Sequence, residues 1–216
     1  MEIEAEIVYN GARVFERSSD LTSGGVKLLE RSQEIKILDA AYKVIAREGY
    51  ANTSLRQIAT EAEVAVSQIS YHYENKEGLL LAVVTRVADN YYEYMQKSLR
   101  DNMSPREKGN CFIHLYQQVI QNDSELFRVL YDLAGLALWS EPLRAQVREI
   151  FRGIMDQITE EVFTEELMKE LGYGYSADTL SSLFFGALFG IGLQASLEPE
   201  NKAIPQSLGA LVVLFQ

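Results

Sequence analysis

The chain of 216 residues, 47% hydrophobic and 24% charged, has the make-up of a globular protein long enough to bury a core without staples, which excludes a disordered or fibrous segment. Cys111 is the single cysteine, so an intrachain disulfide is excluded and a reducing cytoplasm is the expected setting. A net charge of −11 argues against a uniformly basic nucleic-acid binder, although the acid is unevenly placed: residues 26–80 set seven basic against eight acidic side chains, and residues 101–216 eight against sixteen.

Residues 1–25 read as a loosely attached arm ending in Ser23-Gly24-Gly25. Met1 to Asn10 alternates glutamate with apolar residues and lacks the basic start and apolar block of a secretory signal. Only this extreme N-terminus hints at a strand; from residue 31 the apolar period is helical, and the fold class expected is all-α. Ile35, Leu38, Tyr42, Ile45 and Ala46 line a first amphipathic helix that Gly49 ends. Ser54 with Gln57 three residues on has the form of a capping box opening a second, short helix. A third short helix is expected near Val66 to Tyr71, and Asn75 as N-cap of a fourth reaching about Leu99. Pro105 suits the first turn of a fifth. Beyond it the pattern predicts helices over 105–121, 124–139, 141–170, 177–197 and 204–215. Leu180 to Leu197 is the most apolar stretch, but Asp178 and Glu198 bound it and Ser181, Ser182, Gln194 and Ser196 interrupt it. A buried helix is expected there rather than a bilayer span. The last residues, Val213-Leu214-Phe215-Gln216, are similar to those left by a viral 3C-type protease in tag removal, or else form the last turn of an apolar helix.

A helix, a tight turn and a second short helix braced by a longer one is the apparatus that inserts a helix into the major groove. The run Thr53-Ser54-Leu55-Arg56-Gln57-Ile58-Ala59, then Ala62-Glu63-Val64, then Ser67-Gln68-Ile69-Ser70-Tyr71-His72-Tyr73, then Lys76 and Leu79-Leu80 resembles the N-terminal signature of the TetR family of bacterial regulators. The resemblance spans roughly residues 33–80. It implies a helix-turn-helix DNA-binding domain over 26–80 and a helical ligand-binding and dimerisation domain over 81–216. Ile58, Ala59, Ala62, Val64 and Ile69 would set the angle between the two helices, with Tyr73 plugging that core. Val66, Ser67, Gln68, Ser70, Tyr71 and His72 would lie on or beside the recognition helix. Gln68 would offer its amide to an adenine edge, and Val66 would pack on a thymine methyl. Thr53, Arg56 and Lys76 would contact phosphate. The chain departs from the family at Glu63, where a glycine commonly sits, and at Ala65, where a small capping hydroxyl does.

One helix-turn-helix reads only a half-site, so a homodimer on near-palindromic double-stranded operator DNA is expected. Phe184, Phe185, Ala187, Leu188 and Ile191 are the candidate dimer surface, with burial inside the subunit as the alternative. A small-molecule effector is expected among Phe112, Tyr116, Phe127, Tyr131, Trp139, Phe151 and Met155, with Gln117, Gln118 and Arg128 as polar contacts. Core packing is the alternative for these. Cys111 and His114 form a C-x-x-H half-site without a second half, so neither metal nor cofactor is expected. The reading is a cytoplasmic, ligand-responsive transcriptional repressor, not an enzyme and not membrane-bound. Its rival is a helical small-molecule-binding protein of the same fold without DNA binding. In the family's mechanism, effector in the second domain would act on DNA binding through the fourth helix.

Overall fold

A computed structural model describes residues 24–100, 102–122, 124–172 and 174–215. The described residues form helices and no strand. They fall in two compact units, Met1–Val83 and Val84–Gln216. The arm expected over 1–25, except Gly24 and Gly25, and the alternating stretch at Met1 to Asn10 lie outside the described residues.

In the first unit, α1 (Gly24–Glu48) buries Ile37, Ala40, Ala41, Val44 and Ile45. It stops at Gly49, whose φ of 77° only glycine adopts without strain and whose N–H donates to Ile45 O at 2.8 Å. The capping box opens α2 (Leu55–Ala62) as its spacing predicts. The Gln57 N–H donates to Ser54 Oγ at 3.3 Å, and the Ser54 N–H donates to Gln57 Oε1 at 2.8 Å. Two orphan donors are thereby satisfied at once. At the far end of α2, the Val64 N–H reaches Ala59 O at 3.0 Å and the Glu63 N–H reaches Thr60 O at 3.3 Å. This is a Schellman ending, and it forces Glu63 to φ 57°, ψ 42°, the left-handed position that glycine occupies at least cost. Next comes α3 (Val66–Tyr73), whose N-cap Ala65 has no side-chain acceptor. Asn75 then caps α4 (Lys76–Ser98) by accepting the Gly78 N–H at 2.8 Å. The division between the units lies within α4.

In the second unit, α5 (Pro105–Asn122), α6 (Ser124–Ala137), α7 (Glu141–Glu161) and α9 (Ala177–Leu197) carry most of the core. The helix expected over 141–170 is two. The chain turns inward at Val162 and Phe163, both buried, and Thr164 caps α8 (Glu165–Leu171) by accepting the Leu167 N–H at 3.4 Å. A cap hydroxyl three residues before an apolar side chain is a start signal the periodicity alone had run through. The segment expected over 204–215 is a short α10 (Ala203–Gln206) followed by a 3-10 helix, Ser207–Phe215. Phe215 is buried, its ring centroid 5.8 Å from that of Phe163 and 5.7 Å from that of Phe184. Among the described residues, α9 is the one helix long and apolar enough to cross a membrane. One of its faces is spent inside the subunit, where Ser181, Phe184, Leu188, Gly192 and Ala195 are buried. The hydroxyl of Ser181 pairs with that of Thr159 at 2.7 Å, so its burial leaves no polar group wanting.

Candidate nucleic-acid interface and effector site

Two faces of α3 have different fates. Ile69 is fully buried and anchors the helix on the first unit's core. Val66, Ser67, Ser70 and Tyr71 are exposed, Tyr71 at 79%. The Tyr71 ring meets the edge of His72, centroids 5.2 Å apart, and the rest of this large aromatic side chain stands in solvent, open to a partner. Arg56 on α2 is also exposed.

The remaining residues expected at the interface are turned inward. Thr53 is buried, and its hydroxyl donates to Gly49 O at 2.8 Å, fastening the α1–α2 connection. Lys76 gives its ammonium to the Tyr50 carbonyl and lies over the Tyr50 ring, 4.1 Å from the centroid. Burial lowers its pKa from the ordinary lysine value. Its carbonyl partner and a cation–π face hold it to the α1–α2 turn instead of projecting it outward. His72 is half-buried with Nδ1 3.3 Å from Glu34 Oε1. Gln68 uses its carbonyl oxygen on the Ala65 N–H at 3.1 Å and its amide nitrogen on Gln33 Oε1 at 3.3 Å. Tyr73 is half-buried, and its hydroxyl donates to Glu34 O at 3.4 Å. Gln33 and Glu34 are partners the sequence reading missed. They sit more than thirty residues before α3, and only the fold brings them to it.

Five aromatic residues of the second unit, Tyr116, Phe127, Tyr131, Phe189 and Phe151, form a chain of ring contacts. Centroids lie 5.4 Å apart for Tyr116–Phe127, 6.0 Å for Phe127–Tyr131, 4.8 Å for Tyr131–Phe189 and 5.4 Å for Phe189–Phe151. The Tyr131 hydroxyl donates to Phe189 O at 2.7 Å. Burial raises the pKa of Tyr116 and Tyr131, and of Tyr91 on α4. Tyr92 is pushed up to about 12 by burial and then by Asp156 and Asp89. Phe112 is fully buried, and the Ser182 hydroxyl points to Met155 Sδ at 3.4 Å. Gln117 is committed to Pro205 O at 3.1 Å. Phe127 and Arg128 line a cleft of about 500 Å³ with Ile120, Ala195, Pro199 and Lys202.

Trp139 is separate from this cluster, at 90% exposure. The guanidinium of Arg144 takes the carbonyls of Ala137 and Leu138 at 3.2 and 2.7 Å, closing α6 so that residue 139 lies beyond its end. Phe189, absent from the expected ligand set, links the cluster. Its spacing of four from Phe185 was the available signal.

The expected dimer surface is divided by helical phase. Phe184 and Leu188 are buried within the subunit, so they are corrected from surface to core. Phe185 packs on Phe151 at 5.1 Å, and Ala187 and Ile191 are half-buried. The outward stripe of α9 is Leu183, Gly186, Gly190, Leu193 and Leu197, at spacings of three and four. Leu183, Leu193 and Leu197 are 57%, 40% and 75% exposed, and a Cβ added at Gly186 or Gly190 would meet no atom within 4 Å.

Residues 37–83 match the family described as bacterial regulatory proteins, tetR family. The chain is 25% identical over 160 residues to the fatty acid metabolism regulator protein of Bacillus subtilis, covering 74% of this chain and 81% of that protein. Solved structures share the fold, among them the following two. The transcriptional regulator FadR from Bacillus subtilis in complex with stearoyl-CoA aligns at 21% identity and TM-score 0.72, over 84% of this chain and 96% of its own. A TetR transcription regulator from Haloarcula marismortui aligns at 15% identity and TM-score 0.73, over 86% and 96%. These relatives are regulators rather than enzymes. With a helix-turn-helix whose second helix is open to solvent and a match to the tetR family over residues 37–83, the chain is a DNA-binding transcriptional regulator similar to those of the TetR family.

Proposed function

We propose that the chain represses transcription from the cytoplasm as a homodimer on a near-palindromic operator and is released by a small molecule bound in its second unit. The observation that carries DNA reading is the outward face of α3, Val66, Ser67, Ser70 and Tyr71. These supply methyl, hydroxyl and phenol groups suited to base edges and phosphate. Dimerisation is assigned to the outward stripe of α9, where glycines between leucines allow close helix approach and the leucines supply apolar area.

The effector we propose has a long apolar chain, of the fatty acyl thioester class. A relative matching 74% of this chain is a fatty acid metabolism regulator, and the second unit concentrates buried aromatic side chains on α5, α6 and α9. Asn110 Oδ1 and Gln157 Oε1 are buried there without hydrogen-bond partners. Such groups cost about 1–3 kcal/mol each, and donors on an effector would satisfy them. Ligand moves the equilibrium only by its difference in affinity between the operator-binding and released forms.

Selection from random duplex DNA, followed by gel shift at several salt concentrations, tests the reading. Expected are a palindromic consensus, affinity falling as salt rises, and release by stearoyl-CoA but not by choline. Indifference to duplex DNA at low ionic strength would leave the rival, a ligand-binding protein of the same fold.

A further inference from the structure

We propose that Gln33 and Glu34 on α1 form a latch on the back of the recognition helix that withdraws Gln68 and His72 from base reading, leaving specificity to Val66, Ser67, Ser70 and Tyr71. This rests on the DNA-reading role of α3 given above.

Reading adenine with a glutamine needs both halves of the amide, the N–H on N7 and the oxygen on the N6 amino group. Each half of Gln68 makes a bond inside the protein, and the two together fix where the amide points. Its oxygen accepts the Ala65 N–H at 3.1 Å and its nitrogen donates to Gln33 Oε1 at 3.3 Å. The amide cannot be turned over, because its NH2 would then face the Ala65 N–H, donor against donor. The commitment traces to Ala65. With no hydroxyl at the N-cap, the side-chain support at this end of α3 among the described residues is the returning carbonyl of Gln68, half of a capping box. Glu34 extends the latch by one turn. Its carboxylate lies 3.3 Å from His72 Nδ1, and its backbone carbonyl accepts the Tyr73 hydroxyl at 3.4 Å. Gln68, His72 and Tyr73 are thus tied to two consecutive residues of α1, while Ser67, Ser70 and Tyr71 remain exposed. Gln33 and Glu34 are positioning residues that touch no base.

The experiment uses the full chain and the variants Q68A, Q33A, Q33E and Q33A/Q68A. Each is put through selection from random duplex DNA and urea unfolding. Q68A should leave the base preference at every position within about twofold of the parent. Q33A frees the Gln68 nitrogen to donate to a purine N7 and should add a purine preference of about threefold or more at one position of each half-site, absent from the double variant. Q33E keeps an acceptor oxygen opposite Gln68. It should retain the parental preferences, although its charge weakens binding uniformly. The unfolding cycle should couple Gln33 and Gln68 by about twofold or more in the equilibrium constant. A base preference of about fivefold erased by Q68A, no new preference in Q33A, or coupling below about twofold would each overturn the latch. If even the parent ignores duplex DNA, the regulatory reading fails, while the unfolding cycle still decides the contact.

Discussion

Replacing Leu183 with alanine separates the outward stripe of α9 from its buried one. Full burial of a leucine contributes about 2 kcal/mol. Leu183 is 57% exposed in the subunit, so covering it in a dimer contributes about 1 kcal/mol per protomer. A two-fold interface counts it twice, and the loss of about 2 kcal/mol corresponds to roughly a thirtyfold rise in the dimer Kd. Leu188→Ala is the contrast. That side chain is 1% exposed, so its truncation should cost about 2–5 kcal/mol of unfolding stability and leave the Kd of the still-folded fraction near the parent's. Sedimentation across a concentration series measures the Kd, and urea titration the stability. A Leu183→Ala dimer within about threefold of the parent would refute the assignment of this face, as would Leu188→Ala weakening assembly the more strongly.

Three further outcomes follow from the local geometry. Glu63→Gly relieves a left-handed residue worth about 1–2 kcal/mol of strain, against about 0.4–1 kcal/mol of added unfolded-state entropy. The urea midpoint should therefore rise, and a fall would refute the strain argument. Gly192→Ala places a Cβ 2.7 Å from the Tyr131 hydroxyl and 2.8 Å from Phe127. Overpacking of about 1–3 kcal/mol should outweigh alanine's better helix propensity, lowering the midpoint and altering the near-ultraviolet dichroism of the aromatic cluster; an unchanged midpoint would sink this account. Raising pH should destabilise the second unit. Tyr92 titrates at about 12 in the fold against 10.0 as its ordinary value, so its neutral form is favoured by folding. That stability is whole below pH about 10 and is lost as pH climbs toward 12. Phenolate absorbance rising without loss of ellipticity over that range would contradict it.

The division between sequence and tertiary structure follows from the range of the interactions involved. The capping box at Ser54, the stop at Gly49, the Asn75 cap and the departures at Glu63 and Ala65 are contacts within a few residues, so spacing alone reveals them. Helical phase showed that α9 is apolar but not which side faces inward, because Phe184 and Leu183 are adjacent and equally apolar in the sequence. Only packing against Phe163 and Phe215 buries one and leaves the other in solvent. The same holds at α3. Residue type suggested Gln68, His72 and Lys76 as DNA contacts. Polar side chains are spent on whichever partner lies within hydrogen-bond reach, and Gln33, Glu34 and Tyr50 come within that reach only after the chain has folded.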